Sequence, residues 1–286
     1  MKIGIIGAGQ LGRMLALAGY PLGITCTFLD SDSNSPAGLV SAIHVGEMDN
    51  IDHLNSLAAE VDIVTYEFEN ISVEALKAVN PSVQIYPQIT ALATAQDRLK
   101  EKQLFESIGI PTAAYVQINK PEDLKSVEKK LGWPVVLKSR RLGYDGRSQH
   151  VVDSNSSLKS AWDSLKQVPA IAESWVNFER ELSLIGVRGI NGEIVCYPLS
   201  ENVHKEGILR TTVAPYEDTE LHNIAQNWLF SIMEKFDYRG VLTVEFFHTE
   251  QGLVANEMAP RVHTVSYTHL RAHETDSYLV CRLLLE

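Results

Sequence analysis

Cysteine is scarce in this chain: Cys26, Cys196 and Cys281 are the only three in 286 residues, and their spacing shows no pairing. That excludes a disulfide scaffold and points to a reducing compartment, the cytosol. Positive charge is in deficit as well, with a formal net charge of −11, which argues against a general nucleic-acid binder. No apolar run is long enough to cross a membrane, so no membrane partner is expected. The opening Lys2 and apolar run could mimic a signal peptide, but Arg13 and a glycine-rich turn interrupt it, leaving a strand, a turn and a helix. What remains, 45% apolar and 21% charged residues, is ordinary for a soluble globular protein. At this length two or three domains are expected.

What the chain does have is carboxylates set in apolar strands. Residues 241–247 form a β-branched run with Glu245 inside it, and after a short polar turn residues 252–263 form a second run carrying Asn256 and Glu257. Two acids on such strands can aim at one point. They suit Mg²⁺, a hard cation that takes one or two carboxylates plus substrate phosphate oxygens. Two solvent-facing strand residues would give the same pattern. Upstream, the apolar strand 134–137 leads to Lys138, and the segment after it mixes Arg140, Arg141 and Arg147 with Gly143 and Gly146. Glycines let backbone amides approach phosphate, and the cations neutralise it. A hairpin with solvated charges would look similar, except that a lysine closing an apolar strand needs a reason to be there.

The amino-terminal part has an α/β pattern. A strand over 2–6, the turn Gly7-Ala8-Gly9-Gln10-Leu11-Gly12, a helix to about residue 20 and a strand over 24–29 ending at Asp30 make a βαβ unit with a Gly-x-Gly-x-x-Gly fingerprint. Alone, the fingerprint predicts a nicotinamide-dependent dehydrogenase. A glycine turn at a helix start serves a monophosphate as readily, or no ligand at all. Residues 61–67 give another short strand, and Glu67, Glu69 and Asn70 fall at its carboxyl end, where ligands of open α/β sheets gather. Asn70 equally suits a cap for a helix starting near Ser72. A helix over 98–108 meets Gly109 and Pro111 and passes into an α+β section: helix 121–131, strand 135–138, the glycine loop, strand 149–152, helix 156–166 and strand 170–173. Further on, Glu179 and Glu181 share one strand direction, and nothing local separates them. His204 falls in a segment of loop character, where a lone histidine is ordinarily solvated. The helix over 221–236 carries one apolar stripe, including Leu221, Ala225, Leu229 and Ile232, that belongs in a core.

Taken in order, several segments carry a family resemblance. They are Gly9-Gln10-Leu11-Gly12-Arg13-Met14, Thr65-Tyr66-Glu67-Phe68-Glu69-Asn70, Lys138, Gly143-Tyr144-Asp145-Gly146-Arg147, Glu173-Ser174-Trp175-Val176, Glu181, His204, Glu245, Asn256-Glu257 and Pro260-Arg261-Val262-His263. The set resembles an ATP-grasp ligase, and within that superfamily the 5-(carboxyamino)imidazole ribonucleotide synthases of purine biosynthesis. The resemblance implies a Rossmann-like domain over 1–98 that holds no dinucleotide, an ATP-grasp lid over 99–172 and an ATP-grasp catalytic subdomain over 173–263. It implies ATP and Mg²⁺ as cofactors. Arg98, Lys138, Gly143, Tyr144, Asp145, Gly146, Arg147, Ser148, Gln149, Glu173, Ser174, Trp175, Val176, Glu181, His204, Asn256 and Glu257 would surround ATP, with Glu245 and Glu257 on the metal. Backbone groups over 173–176 would contact adenine, and Glu181 the ribose hydroxyls, for which a carboxylate is a strong acceptor. Gln10, Leu11, Glu67, Tyr144, Asp145 and Arg147 would meet aminoimidazole ribonucleotide. Lys138 would balance the α- and β-phosphates, while Arg261, with its planar fork, and His263 would grip bicarbonate or the acyl phosphate. The implied reaction is ATP-dependent carboxylation of that ribonucleotide by bicarbonate through a carboxyphosphate, a chemistry of positioning and charge neutralisation. Enzymes of this kind are homodimers.

Two departures bear on these expectations. Ser148 stands where the family has a third glycine. After His263 the family continues into a further small domain, whereas residues 264–286 show no match and look like translated sequencing-adapter sequence. A missing carboxyl-terminal small domain, and a chain that binds ATP without completing the reaction, are therefore expected. In that tail His269 and His273 have the spacing of a metal pair but lack a third ligand. Three other readings stand beside the leading one. Another ATP-grasp carboxylate–amine ligase is opposed by Thr65-Tyr66-Glu67 and Gly143-Tyr144-Asp145, and a dehydrogenase leaves Lys138, Glu245 and Glu257 unexplained. A non-enzymatic fragment is the third.

Overall fold

The computed structural model describes residues 1–143, 148–205 and 207–264. The expectations placed on Tyr144, Asp145, Gly146 and Arg147, and on the tail from residue 265 onward, lie outside those residues. Strands and helices alternate at first: β1 (Lys2–Ile6), α1 (Gln10–Gly19), β2 (Thr25–Asp30), β3 (Ala42–Val45), α2 (Ile51–Ala58), β4 (Ile63–Tyr66), α3 (Val73–Lys77), β5 (Gln84–Ile85) and α4 (Ile89–Ala95). All pairings are parallel, in the order β3-β2-β1-β4-β5. A parallel sheet needs both faces covered, and the pleat of β1 sends neighbours to opposite cores. Ile5 packs with Phe28 and Ala16, and Ile6 with Leu29, Leu54 and Leu57. The expected Rossmann-like domain is therefore present. Its chain order reverses between β1 and β4, the switch point at whose carboxyl edge such sheets open a crevice.

Helix α5 (Arg98–Ser107) follows, with Asp97 as its cap accepting from the Leu99 amide. It leads to a four-stranded antiparallel sheet in the order β6-β9-β7-β8, built from β6 (Tyr115–Ile118), β7 (Val135–Ser139), β8 (Gln149–Val152) and β9 (Ala170–Ser174), with α6 (Val127–Leu131) and α7 (Asn155–Ser164) on one side. Val116, Ile118, Val135, Leu137, Leu158 and Trp162 make its core. The single helix expected over 121–131 is instead a 3₁₀ segment, Pro121–Ser126, running into the short α6. Local bonds explain the break: Asp123 accepts from the Asn119 and Lys120 amides, and the Ser126 hydroxyl donates back to the Asp123 carbonyl.

The remaining chain forms a mixed-length antiparallel sheet, β13-β12-β10-β14-β15 with β11 also on β10. Its members are β10 (Arg180–Arg188), β11 (Ile194–Cys196), β12 (Ser200–Lys205), β13 (Ile208–Val213), β14 (Gly240–Thr249) and β15 (Gly252–Ala259), backed by α8 (Thr219–Lys235). The α8 stripe is buried as expected, with Leu221, Ala225, Leu229, Ile232 and Met233 against Leu182, Leu184, Val244 and Phe246. Leu104 and Phe105 of α5 enter the same core, so this helix packs on the large sheet. Among the described residues no helix is long and apolar enough to cross a membrane.

Candidate active site

Strands β14 and β15 run antiparallel with Glu245 directly opposite Glu257. The pairing then slips, so that Phe246 faces Ala255 and Asn256 is left without a cross-strand partner. A bulge of this kind adds one residue to one strand and re-aims its side chains. Both Asn256 and Glu257 line one cleft, as does Glu245. The cleft measures about 620 Å³ and opens between the four-stranded sheet and the large one.

Charge in this cleft is arranged in pairs, half-buried at Arg98–Glu257 and buried around Glu173. Arg98 donates to Glu257 over 3.1 Å, and Lys138 donates to Glu173 over 2.9 Å. The same Glu173 oxygen lies 3.7 Å from the ammonium of Lys102, which is 1% exposed. Burial alone would raise the Glu173 carboxyl, but the attraction of Lys138 and Lys102 wins and lowers it to about 2. Glu257 follows the same logic, pushed up by burial and pulled lower overall by Arg98 and Lys138. At Glu245 the pulls of His204 and Arg261 are the weaker effects. Burial first, and Glu257 second, push it up to about 8. Burial also drives His263 down to about 3, with the Arg261 charge adding to the effect, and its Nε2 sits 3.5 Å from Glu245.

Other groups close the walls. Glu181 on β10 bonds directly to His204 on β12, which raises the His204 pKa. His204 is thus on a strand and paired, not in a loop: residues 200–205 and 208–213 form a hairpin whose turn uses Gly207 at φ +74. Glu179, the rival of Glu181, is not among the lining residues, whereas Glu181 is. Arg261 lies 3.0 Å from Glu69, an ion pair set off-line for a hydrogen bond. Burial pushes the Glu69 carboxyl up against the opposing pull of Arg261. An apolar side is supplied by Val136, Val151, Phe178, Leu209 and Phe247, with the Phe178 and Phe247 rings stacked at 4.7 Å.

The glycine turn of the first domain is differently occupied. Gly7 has φ +91, a conformation that favours glycine, and a Cβ on Gly9 would stand 2.6 Å from a Glu67 oxygen. Through that opening the Glu67 carboxylate accepts from the Gly9 amide at 2.7 Å and the Gly12 amide at 3.1 Å. Asp30 accepts from the Ala8 amide at 2.8 Å, and Gly7 donates to the Leu29 carbonyl. The amides that would hold a dinucleotide pyrophosphate are therefore filled by the protein's own acids, which opposes the dehydrogenase reading.

Of the expected residues, Arg98, Lys138, Gly143, Gln149, Trp175, Glu181, His204, Glu245, Asn256, Glu257, Arg261 and His263 meet at the one cleft. Ser148, Glu173, Ser174 and Val176 are not among its lining residues, and the Glu173 side chain lies behind Lys138. Gln10, Leu11 and Glu67 stand at the glycine turn instead. Asn70 lines the cleft, while Ser72 caps α3 through the Ala75 amide. Nothing in the sequence assigns a role to Lys102 or Glu101, and Glu69, expected where ligands gather, lines the cleft beside Arg261. In the run 98–102 Lys102 resembles a solvated helix charge, and only its i, i+4 spacing from Arg98 hints at a shared face.

The Glu245–Glu257 pair fits a divalent cation: two acids stand opposite one another, and burial first, with Glu257 second, holds the Glu245 carboxyl up at about 8, a penalty on its charged form that a bound cation would relieve. No cluster of three or more His, Cys, Asp or Glu among the described residues could hold a metal. The other ligands of a hard cation would thus be nucleotide oxygens or water.

Comparison with known proteins agrees with this fold. A model described as ribonucleotide synthetase preATP-grasp domain matches residues 1–96, and one described as ATP-grasp domain matches residues 103–278. The chain is 40% identical over 278 residues to the N5-carboxyaminoimidazole ribonucleotide synthase of Pseudomonas aeruginosa, covering 97% of this chain and 77% of that protein. The Bacillus subtilis protein of the same name is 35% identical over 279 residues, covering 96% and 73%. Among solved structures, the Thermus thermophilus synthetase superposes with a TM-score of 0.88 at 43% identity, over 93% of this chain and 72% of that one. An Aspergillus clavatus synthase solved with ADP and 5-aminoimidazole ribonucleotide gives 0.85 at 32% identity, over 95% and 76%.

Proposed function

The chain belongs to the N5-carboxyaminoimidazole ribonucleotide synthase family of ATP-grasp enzymes, and from that premise we infer an ATP-dependent ligase that carboxylates 5-aminoimidazole ribonucleotide in purine biosynthesis. The γ-phosphoryl group of ATP passes to a bicarbonate oxygen, leaving ADP and a carboxyphosphate. The exocyclic amine of the ribonucleotide then takes the activated carboxyl, and phosphate departs. One observation carries the residue roles: the convergence of Arg98, Lys138, Glu245, Glu257, Arg261 and His263 on one cleft.

In this reading the base lies against the apolar wall of Val136, Val151 and Phe178, and of residues 173–176 only Trp175 borders it. Glu181, held by His204, accepts from the ribose hydroxyls. Lys138 and Arg98 leave their carboxylate partners for phosphate oxygens, a charge-assisted exchange that compensates the lost pairs. Glu245 and Glu257 would hold Mg²⁺. Bound there, the ion would neutralise phosphate charge and fix the nucleotide's orientation. Arg261 and His263 face the bicarbonate end of the cleft, with Glu69 orienting Arg261. Gln10, Leu11 and Glu67 border the ribonucleotide, with Glu67 acting through the turn it holds. We keep the division at 98/99 and 172/173 as the domain scheme. A cytosolic homodimer is the accompanying proposal, on the family resemblance alone.

The test is ADP release by the purified chain with ATP, Mg²⁺ and bicarbonate, with and without 5-aminoimidazole ribonucleotide. Release stimulated by the ribonucleotide is expected when a family-type segment stands in place of residues 264–286, and ATP binding is expected with or without that replacement. A folded chain whose ADP release ignores the ribonucleotide, and which takes up none in a binding titration, would overturn the reading.

A further inference from the structure

The bulge at Asn256 leaves a carbonyl without a ladder partner in the middle of the site, and a lysine outside every role described so far answers it. Lys102 donates to the Asn256 carbonyl at 2.9 Å. Its neighbours on the same helix face take the adjoining groups: Arg98 bonds the Glu257 carboxylate at 3.1 Å, and Glu101 accepts from the Met258 amide at 2.7 Å. Positions 98, 101 and 102 lie on one face by helical geometry, so the first turns of α5 grip three successive residues of β15. Lys102 is also 3.7 Å from the Glu173 oxygen that Lys138 holds at 2.9 Å. Burying an ammonium at 1% exposure is costly unless it is paired, and here the pairing spans all three walls of the site.

We propose that Lys102 is a positioning residue for the nucleotide–metal site: it fixes the Asn256 bulge that turns Glu257 into the cleft, and it stays on Glu173 as the standing cation when Lys138 moves to phosphate. The proposal rests on the nucleotide reading of the cleft. Without Lys102, release of Lys138 would strand a buried carboxylate, and Lys138 would be retained by Glu173 instead of reaching the nucleotide. The bulge carbonyl would be left unsatisfied, and the Glu257 side chain would lose its fixed direction.

The experiment is calorimetric titration of the full chain with ATP, once with Mg²⁺ and once with a chelator, for wild type, Lys102→Met and Lys102→Arg. Thermal melting is followed on each protein. Lys102→Met keeps the stem and removes the ammonium. It should bind Mg·ATP roughly tenfold or more weakly, with a smaller loss for metal-free ATP, and Lys102→Arg should recover part of the difference. A folded Lys102→Met that binds Mg·ATP within about twofold of wild type overturns the proposal, as does an equal loss with and without metal. Should Lys102→Met fail to fold, Lys102→Met/Glu173→Gln is compared with Glu173→Gln, which removes the stranded carboxylate from both. Equal Mg·ATP binding by those two overturns the proposal. A wild-type chain that binds no ATP overturns the nucleotide reading itself, an outcome distinguishable from the others because it appears before any substitution.

Discussion

Asn256 and Glu257 are consecutive on one strand, yet both line the same cleft. The slip between the Glu245–Glu257 and Phe246–Ala255 pairs sets Glu257, and not Asn256, directly opposite Glu245. Without that slip the acid that faces Glu245 would be replaced by an amide.

The Glu245–Glu257 pair should be indispensable to catalysis and dispensable to folding. Glu257→Gln is expected to lower ribonucleotide-stimulated ADP release by about a hundredfold or more, since a charge-stabilising contact to the reacting phosphates is worth several kcal/mol. Its thermal midpoint should stay within a few degrees of wild type. Near-normal turnover in Glu257→Gln would remove this residue from the metal site.

Glu101 makes stability depend on pH. Burial first, then the nearby Glu257, raise its carboxyl from an ordinary 4.5 to about 8. A raised acid contributes stability that is full below about 4.5 and is lost as pH climbs through about 8. Glu101→Gln keeps an acceptor for the Met258 amide without the charge. Its melting temperature should therefore match wild type near the acid end of that window and exceed it above the alkaline end. Parallel melting curves for the two proteins across the whole range would contradict this.

Glu173 works in the opposite sense. Its carboxyl is lowered to about 2, so its contribution is present above about 4.5 and disappears as pH falls through about 2. Lys138→Met removes the nearer cation, leaves Lys102 at 3.7 Å, and should narrow that acid-side window in a pH-dependent melting series. The same substitution should weaken ATP binding by roughly tenfold or more, as expected for a lost charge-assisted contact.

The glycine turn can be separated from the nucleotide cleft. A Cβ on Gly9 would lie 2.6 Å from Glu67 and must displace that carboxylate from the turn. Gly9→Ala should cost about 1–3 kcal/mol in urea unfolding, the range for an unsatisfied buried contact, and should raise the KM for the ribonucleotide. Binding of ATP alone should be unchanged, because the turn does not border the cleft that holds the nucleotide residues.

Arg261 and Glu69 should behave as a coupled pair. Arg261→Ala leaves the Glu69 carboxylate without its 3.0 Å partner, so both stability and turnover should fall. Adding Glu69→Gln should restore much of the stability and none of the turnover. Full recovery of both in the double variant would place Arg261 outside the chemistry.

Much of the architecture was legible along the chain because it depends on neighbours in sequence. The apolar strands of the parallel domain, the glycine turn between β1 and α1 and the α8 stripe follow from local periodicity and turn chemistry, while the family rests on the resemblance of the motifs. The break in the helix over 121–131 was missed because side-chain bonds around Asp123 compete with the helix ladder, and propensity does not register them. The strand that carries His204 is not legible in the sequence, because its hairpin is short and half-exposed, with no strong alternation.

By itself, the sequence determined the family, the α/β and α+β character of the fold and the charged residue types that the cleft gathers. Tertiary structure alone decided how those charges are paired. Lys102 with Glu173, Arg98 with Glu257, Arg261 with Glu69 and Glu67 with the Gly9 amide join segments separated by 58 to 192 positions in the chain. Whether such a charge is solvated or buried against a partner depends on which surfaces the folded sheets bring together, and a linear pattern does not carry that information.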